Sequence, residues 1–565
     1  MKQDTQRGPV EPAFWPPRLS RHLTPADTSL WENLAISARR YPGKTALRFL
    51  NQDISYQQLL TRSEQLAGWL AGNGVRHGER VLVMMQNCPQ LVIAHYGIMR
   101  AQAVVVPVNP MNKAEELTHY IADSGAKIAI CSAELAAEMV AANQRMAPGQ
   151  GLDQLLVTRY GDAFDITAMG ELALPGEWHA WLTQSEHPAL HEGATVAWNE
   201  ALASGHQPLP FTARAEDLCL LPYTSGTTGS PKGCVHQHRS IMHNAMACWH
   251  WINGDPESVL LAVLPLFHIT GLVCVMHGTL YGGGTLVMMP RWNRDLACAL
   301  VAKAGVTHWL CIPTMVVDLL AAPDLERYDL SSLAFIGGGG AAMPEAVAER
   351  LRATYNLEFV EGYGLTETSG PTHMNPCHRP ELQCLGVPFI STEARILDPD
   401  TPRSLPRGEQ GEIAISGPQL FQGYWNNPQA TAESFVEIEG QRYFRTGDLG
   451  HCDADGYFYM TDRIKRMINA SGFKVWPSEV ENSLFRHPGI QEVCVVGCLD
   501  EYRGETVKAV VVRRPSHPHL DAQSLIDWAR GNMAAYKVPK IVEFVDALPK
   551  NGSGKVMWRA LQGTR

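Results

Sequence analysis

Residues 223–233 read Tyr-Thr-Ser-Gly-Thr-Thr-Gly-Ser-Pro-Lys-Gly and follow an apolar stretch, Leu218 to Pro222. Three glycines let the backbone approach a polyphosphate closely, and the hydroxyls together with Lys232 supply donors for its oxygens. This is not the GxxxxGK[ST] phosphate loop, because Lys232 is followed by glycine and no helix-capping Ser or Thr stands beside it. A lone Gly/Ser/Thr run is ordinarily a flexible turn; length, order and the strand before it favour phosphate binding here. Other residues say little taken singly. Lys555, in Asn551-Gly-Ser-Gly-Lys555, reads as a solvated lysine in a glycine-rich tail, Glu367 as a loop carboxylate and Asp448 as a turn aspartate. His268 alone reads as a buried strand-end histidine satisfied by backbone. Residues 462–465 alone read as a charged linker. His236, His238, His243 and His250 have no Cys or Asp at ligand spacing, so they are expected to be helix and loop histidines rather than a metal site.

Elements must position these residues. Strand-length apolar runs alternate with helix-like stretches: Arg80 to Met85 reads as a strand, Gln90 to Gln102 as a helix and Ala103 to Val108 as a second strand, which implies parallel α/β layers. The stretch from Gly161 to His206 is weakly periodic, polar and proline-bearing, and is expected to be a long surface excursion. Composition changes again near Thr461, Asp462 and Arg463. Beyond lie strands at Gln491 to Gly497 and Val507 to Val512 and a helix from Asp521 to Met533, expected to form a small α+β domain behind a short hinge. The segment Ser258 to Leu280 is long and nearly uncharged, but Pro265, His268, Gly271 and His277 interrupt it. A strand, a Pro-His turn and a short buried helix explain it better than a membrane span.

Composition narrows the function. The 565 residues, 45% hydrophobic and 18% charged, can fill more than one core. A net charge of −10 and no long basic run argue against nucleic-acid binding. The 13 cysteines are scattered without CxxC pairs and read as reduced, mostly buried thiols of a cytoplasmic protein. The first twenty residues are polar and carry four prolines, unlike a signal peptide, and are expected to form a mobile arm or a surface strap.

From Ile54-Ser-Tyr56 to Lys555 a series of motifs resembles, in order, those of the adenylate-forming superfamily, the AMP-binding enzymes that include fatty acyl-CoA synthetases, 4-coumarate ligases and firefly luciferase. The resemblance covers nearly the whole chain except the first thirty or so residues and the excursion after Gly161. It implies an α/β fold: a large multi-subdomain domain with parallel and mixed sheets over 31–462, a mobile α+β domain over 463–565, and an arm over 1–30. It also implies site roles. Thr224, Ser225, Gly226, Thr227, Thr228, Gly229 and Lys232 would hold the β- and γ-phosphates of ATP, while Gly339, Gly340 and Ala341 would lie against adenine. Within Glu361-Gly-Tyr-Gly-Leu-Thr-Glu-Thr368, Tyr363 would stack on the purine beside Gly364, and Thr366 would touch the α-phosphate. Glu367 and Thr224 would hold Mg²⁺, a hard cation suited to oxygen ligands. Asp448 would accept the ribose hydroxyls, with Arg463 adding a second contact. Lys555 would be the adenylation lysine, whose ammonium stabilises charge on the attacking and bridging oxygens. His268 would lie between the ATP and acyl pockets, and His238 also matches a family residue. Trp558 departs from the arginine common just after the lysine motif.

The resemblance further implies an acyl-CoA ligase that forms an acyl-adenylate and then passes the acyl group to coenzyme A. Residues 467–480 resemble the matching segment of fatty acyl-CoA synthetases, so rotation about Lys465 would withdraw Lys555 and bring Ser471 and Gly472 to the adenylate and CoA. Amino-acid-activating relatives carry aspartate where this chain has His268, and acetate enzymes carry tryptophan where it has Gly364. An acyl pocket along Gly271, Gly337 and Gly338, with small or apolar surroundings, favours a medium- or long-chain fatty acid or an aryl acid. The chain continues ten residues past Lys555 and shows no insertion after the hinge, which favours CoA over a carrier protein as acceptor. A carrier-loading acyl-AMP ligase and a non-catalytic nucleotide-binding relative are the alternatives. Dimers are common among relatives, and a homodimer stays open.

Overall fold

The computed structural model describes residues 10–165, 172–191, 194–224, 231–322, 325–463, 466–470, 473–500, 504–550 and 556–562. Two large sheets dominate. The nine-stranded sheet runs in the order Val387–Pro388, Gly370–Met374, Phe359–Leu365, Phe335–Gly339, His308–Cys311, Val259–Ala262, Thr285–Met288, Thr45–Phe49, Gln52–Ser55. Its middle is parallel and its edges antiparallel. The seven-stranded sheet, from His236–Gln237 through Leu218–Leu220, Val104–Pro107, Arg80–Met84, Ile128–Ser132 and Gln154–Thr158 to Thr195–Ala197, is parallel except at its first pair. Strands such as Val104–Pro107 and Ile128–Ser132 are buried at every position. Helices cover both faces of a parallel sheet, so its strands read as unbroken apolar runs.

Residues 393–463 form an antiparallel five-stranded sheet in which the long strand Gln441–Cys452 pairs with Gly411–Ser416, Phe435–Ile438 and Phe458–Arg463. A last five-stranded sheet, built on Ile490–Asp500 and Gly504–Arg513, packs the helices Pro477–Leu484 and Ala522–Asn532 around a core of its own that includes Ile468, Val480, Leu484, Val495 and Leu525. The helix at 522 starts where expected, because the Asp521 side chain accepts from Ser524 N at its first turn.

The segment from 258 folds as a strand, Val259–Ala262, a turn at Pro265–His268 and a short buried helix of π type, Gly271–His277. Among the described residues no helix is long and apolar enough to cross a membrane. The stretch from 161 differs from expectation. Thr195–Ala197 adds an edge strand to the seven-stranded sheet, and Trp178, Leu182, Trp198 and Ala201 are buried in the main core. Elements of three to five residues are too short to show periodicity, and the tryptophans were the better signal of burial. The N-terminal segment is a strap from residue 10 onward: Ala13 N donates to the Asp455 carbonyl at 2.7 Å, and Trp15 packs edge-on against Trp251.

Candidate functional site

The glycine- and threonine-rich run is carried by a two-stranded hairpin in which Thr224 pairs with Lys232 and Tyr223 with Gly233. Its connecting residues, Ser225, Gly226, Thr227, Thr228 and Gly229, lie outside the described residues. Both arms of the stem are pinned from the helix Ala114–Ser124 and its neighbours. The Tyr223 hydroxyl donates to Asp123 Oδ2 at 2.7 Å, its ring lies 4.4 Å from that of Tyr120, and His119 Nε2 donates to the Pro231 carbonyl at 2.8 Å. The stem of the hairpin is thereby held at its base.

The strand Phe335–Gly339 brings Gly337, Gly338 and Gly339 alongside Phe359–Leu365, with Gly339 opposite Gly362. Close approach is the reason for glycine here: a Cβ on Gly338 would sit 1.7 Å from the Cys311 carbonyl oxygen, and one on Gly339 would sit 2.2 Å from that of Gly362. Gly340 then turns with φ of +86° into open space, and Ala341 is exposed beside it. Gly364 has the Gly370 carbonyl oxygen where its own Cβ would be.

The next strand delivers Tyr363, whose hydroxyl donates to Asp448 Oδ2 at 2.6 Å. Asp448 is 1% exposed and lies opposite Arg463 in register, and Arg463 Nε reaches its Oδ1 at 2.9 Å. One carboxylate therefore joins an aromatic ring on the nine-stranded sheet to a guanidinium at the end of the five-stranded one. Burial and the negative Asp448 hold the Tyr363 phenol far above its usual range, so it stays a donor. Asp462 Oδ2 accepts from Ser478 N at 2.7 Å, which ties the strand end to the first turn of Pro477–Leu484.

Thr366, Glu367 and Thr368 form a single 3₁₀ turn. Asn244 Nδ2 lies 3.0–3.2 Å from the carbonyl oxygens of Thr368, Ser369 and Pro371, and His236 Nε2 donates to the Thr366 carbonyl at 2.8 Å. Burial lowers the His236 pKa to about 4, which keeps the imidazole neutral as a structural donor. Burial also raises the Glu367 carboxyl above its usual range; the Tyr424 hydroxyl, donating to Oε1 at 2.8 Å, and the Arg463 guanidinium oppose that rise. A carboxylate so placed gains from a cation, and Glu367 with the Thr224 hydroxyl is a donor set of hard oxygens that suits Mg²⁺. Tyr424, which donates to Glu367, pairs through its backbone with Cys234, just past the outgoing arm of the hairpin. Among the described residues no group of three or more His, Cys, Asp or Glu is gathered as a metal site.

His268 is exposed in the turn before the π-helical segment, its amide donating to the Pro265 carbonyl at 3.0 Å. Gly271 opens that segment, and Leu272, Val273, Cys274, Val275 and Met276 are all buried in it. Such widened helical turns are uncommon and recur at functional sites. Gly337 and Gly338 lie buried in mid-sheet. His238 is buried and its Nδ1 accepts from Leu30 N at 3.1 Å, a helix-start histidine with a structural partner. Lys465, Ser471, Gly472 and Lys555 lie outside the described residues. Sequence reasoning did not single out Asp123, Asn244 or Tyr424, the groups that hold the site in shape. Tyr424 had a signal, an aromatic in the turn Gly423-Tyr-Trp-Asn-Asn-Pro428.

Comparison with known proteins agrees with this geometry. The family model described as AMP-binding enzyme matches residues 34–425, and that of the AMP-binding enzyme C-terminal domain matches 479–555. The chain is 34% identical over 552 residues to a long-chain-fatty-acid–CoA ligase of Bacillus subtilis (strain 168), covering 97% of each chain. It is 35% identical over 522 residues to a feruloyl-CoA synthase of an Amycolatopsis species, covering 92% of this chain and 96% of that one. Among solved structures, ATP-bound MatB from Rhodopseudomonas palustris superposes with a TM-score of 0.81 at 28% identity, over 95% of this chain and 98% of the other. A nucleotide-binding arrangement spread over three sheets, matched from end to end by such relatives, places the protein: the chain belongs to the AMP-binding enzyme family and is an ATP-dependent acyl-CoA ligase.

Proposed function

We propose that the acid activated here is a medium- or long-chain fatty acid or an aryl acid, and that one site adenylates it and then transfers it to CoA. The observation that carries this reading is the joining of Tyr363, the buried Asp448 and the partly exposed Arg463 into one cluster next to the Glu367 turn, with the buried apolar stretch 271–276 following His268 in the chain. A carboxylate has about four acceptor positions. Asp448 accepts from Tyr363 and pairs with Arg463, which fixes its carboxylate where this reading places the ribose hydroxyls.

In this reading Thr224, Lys232 and the hairpin loop hold the triphosphate, and the face of Tyr363 and the 339–341 turn take the adenine. Glu367 and Thr224 would hold Mg²⁺, which when bound would neutralise phosphate charge. The acid's carboxylate attacks the α-phosphorus; the bond to the bridging oxygen breaks, and Thr366 and Lys555 donate to oxygens on which charge gathers. No proton moves in this step. Residues 463–565 then rotate about Lys465, Lys555 leaves, and Ser471 and Gly472 approach the adenylate so that the CoA thiol displaces AMP. Neutral walls at 269–276 support an apolar acyl group, since a charged one would be desolvated there without a partner. The relatives named for fatty acids and for ferulate leave both acid classes in play.

The test is pyrophosphate release with ATP, Mg²⁺ and acids from acetate through long-chain fatty acids to cinnamic acids, each with and without CoA. A chain-length or aryl optimum with CoA-dependent turnover is expected, with Lys555→Ala reducing adenylation by about 10²–10³-fold, the scale of a lost charge-stabilising donor. Turnover confined to acetate, or an unaltered Lys555→Ala, would overturn the assignment.

A further inference from the structure

Tyr424 touches two groups that the chemistry needs and that come from different segments. Its hydroxyl donates to Glu367 Oε1 at 2.8 Å, and the Lys232 ammonium lies 4.8 Å from the centre of its ring. The turn that carries it is fixed on both sides. Tyr424 N donates to Thr431 Oγ1 at 2.8 Å, Trp425 N donates to the Gly233 carbonyl at 2.8 Å, and Trp425 Nε1 donates to the Asp123 carbonyl at 2.9 Å. The ring thus stands between the outgoing arm of the hairpin and the 366–368 turn, with little freedom to move.

A tyrosine side chain has only two rotatable bonds, so a distance set by its ring is set cheaply. The ring face attracts a cation and the hydroxyl offers a single proton, and both capacities are spent on the polyphosphate end of the site. A packing role alone would call for neither. Phe421 in the same aromatic cluster, stacked on Phe435 at 5.5 Å, does the packing without a hydroxyl.

We infer that Tyr424 is a positioning residue for the polyphosphate end of ATP: its ring face holds the Lys232 ammonium in place before nucleotide arrives, and its hydroxyl fixes one oxygen of Glu367 so that the other faces the metal-bearing phosphates. The hydroxyl half rests on the proposed metal role of Glu367; the ring half does not. Because the two contacts belong to different parts of one side chain, substitution separates them.

The experiment is calorimetric binding of ATP to the full chain without acid, with Mg²⁺ and again in EDTA, for wild type, Tyr424→Phe, Tyr424→Leu and Glu367→Gln. Mn²⁺ electron paramagnetic resonance serves as a direct readout of the cation, and melting curves confirm folding. Tyr424→Phe is expected to weaken Mg·ATP and Mn²⁺·ATP binding about 3–10-fold, the net worth of one ordinary hydrogen bond, and to leave metal-free ATP within about twofold. Tyr424→Leu is expected to weaken metal-free ATP by about 3–10-fold as well, through loss of the cation–π contact. In turnover, Tyr424→Phe raises KM for Mg·ATP and leaves KM for the acid unchanged. Wild-type Mg·ATP affinity in Tyr424→Phe overturns the hydroxyl half. Equal metal-free affinity in Tyr424→Leu and Tyr424→Phe overturns the ring half. Wild-type Mg·ATP binding by Glu367→Gln instead removes the metal role of Glu367, and the hydroxyl half falls with it, while the ring half is still decided in EDTA.

Discussion

The region proposed to bind the nucleotide and the region proposed to bind the acyl group are built from different materials. Around Tyr363, Glu367 and Asp448 each functional group has a hydrogen-bonded partner on another element, down to backbone carbonyls gathered by Asn244. Along 269–276 the chain offers buried apolar side chains and a widened helical turn. In the proposed reading the first end recognises by direction and charge, so its residue types are constrained singly, and the second by shape, which many side chains set together. Substitutions at the nucleotide end are therefore expected to fail by losing a named interaction, and those at the acyl end by moving backbone.

The largest effect is expected at Asp448. Replacing it by alanine leaves the Arg463 guanidinium and the Tyr363 hydroxyl without their shared acceptor in a position only 1% exposed. Hydrogen bonds to a charged group are worth about 1.5–3 kcal/mol, and losing the ribose contacts as well should lower kcat/KM for ATP by roughly 100-fold or more. Arg463 is partly exposed, so water recovers some of its share. KM for the acid should stay within about twofold. Steady-state kinetics with each substrate varied in turn would check this, and an equal loss for acid and ATP would break the contrast between the two ends.

A smaller effect sharpens the contrast through pH. Glu361 is 5% exposed; its Oε1 accepts from Gln383 N at 2.7 Å, it also accepts from the Met343 amide, and burial pushes its carboxyl up to about 7. The folded state therefore holds a proton that the unfolded chain, with a carboxyl near 4.5, releases earlier. Stability from this group is complete below about pH 4.5 and is lost as pH rises to about 7, a change of up to about 3 kcal/mol. Glu361→Gln should flatten the melting temperature between pH 5 and 7.5. A variant that keeps the wild-type slope would show that another group sets it. The affected turn, Gly339 to Met343, lies where adenine is proposed to bind, so KM for ATP should follow the same pH course while KM for the acid should not.

What could be read in the sequence follows the same division. Strand–helix alternation from Arg80 to Val108, the small domain's strands and the helix after Asp521 were legible because burial on one face leaves a period in the residue types and burial on both leaves an unbroken apolar run. The residues proposed for the nucleotide could be named in the sequence because directional chemistry restricts each position to few side chains, as in Glu361 to Thr368. Less visible were groups acting from a distance in sequence: Asn244 is more than a hundred residues from the turn it braces, and Tyr424 is 57 from Glu367. Only folding brings them together. The stretch after Gly161 was misjudged as a surface excursion because Thr195–Ala197 and its neighbours are too short for a pattern, although Trp178 and Trp198 carry much of their burial.

At the acyl end the expected effect is smaller and arises differently. A Cβ on Gly271 would lie 2.5 Å from the Pro265 carbonyl oxygen and 3.0 Å from that of Leu264. That backbone cannot yield easily, because the buried Asn87 side chain donates to the carbonyls of Ala262 and Leu264 and accepts from Leu266 N at 2.8 Å. Gly271→Ala must then displace the π-helical segment itself, at a cost of about 1–3 kcal/mol for overpacking a core. The expected outcome is a lower melting temperature and a raised KM for the acid, greatest for the longest or bulkiest acid accepted, with KM for ATP within about twofold. Kinetics across an acid series would decide it. If short and long acids suffer alike while ATP is spared, the segment acts as scaffold and the chain-length reading is lost; if ATP suffers as much as the acids, the two ends share one backbone and cannot be tuned apart.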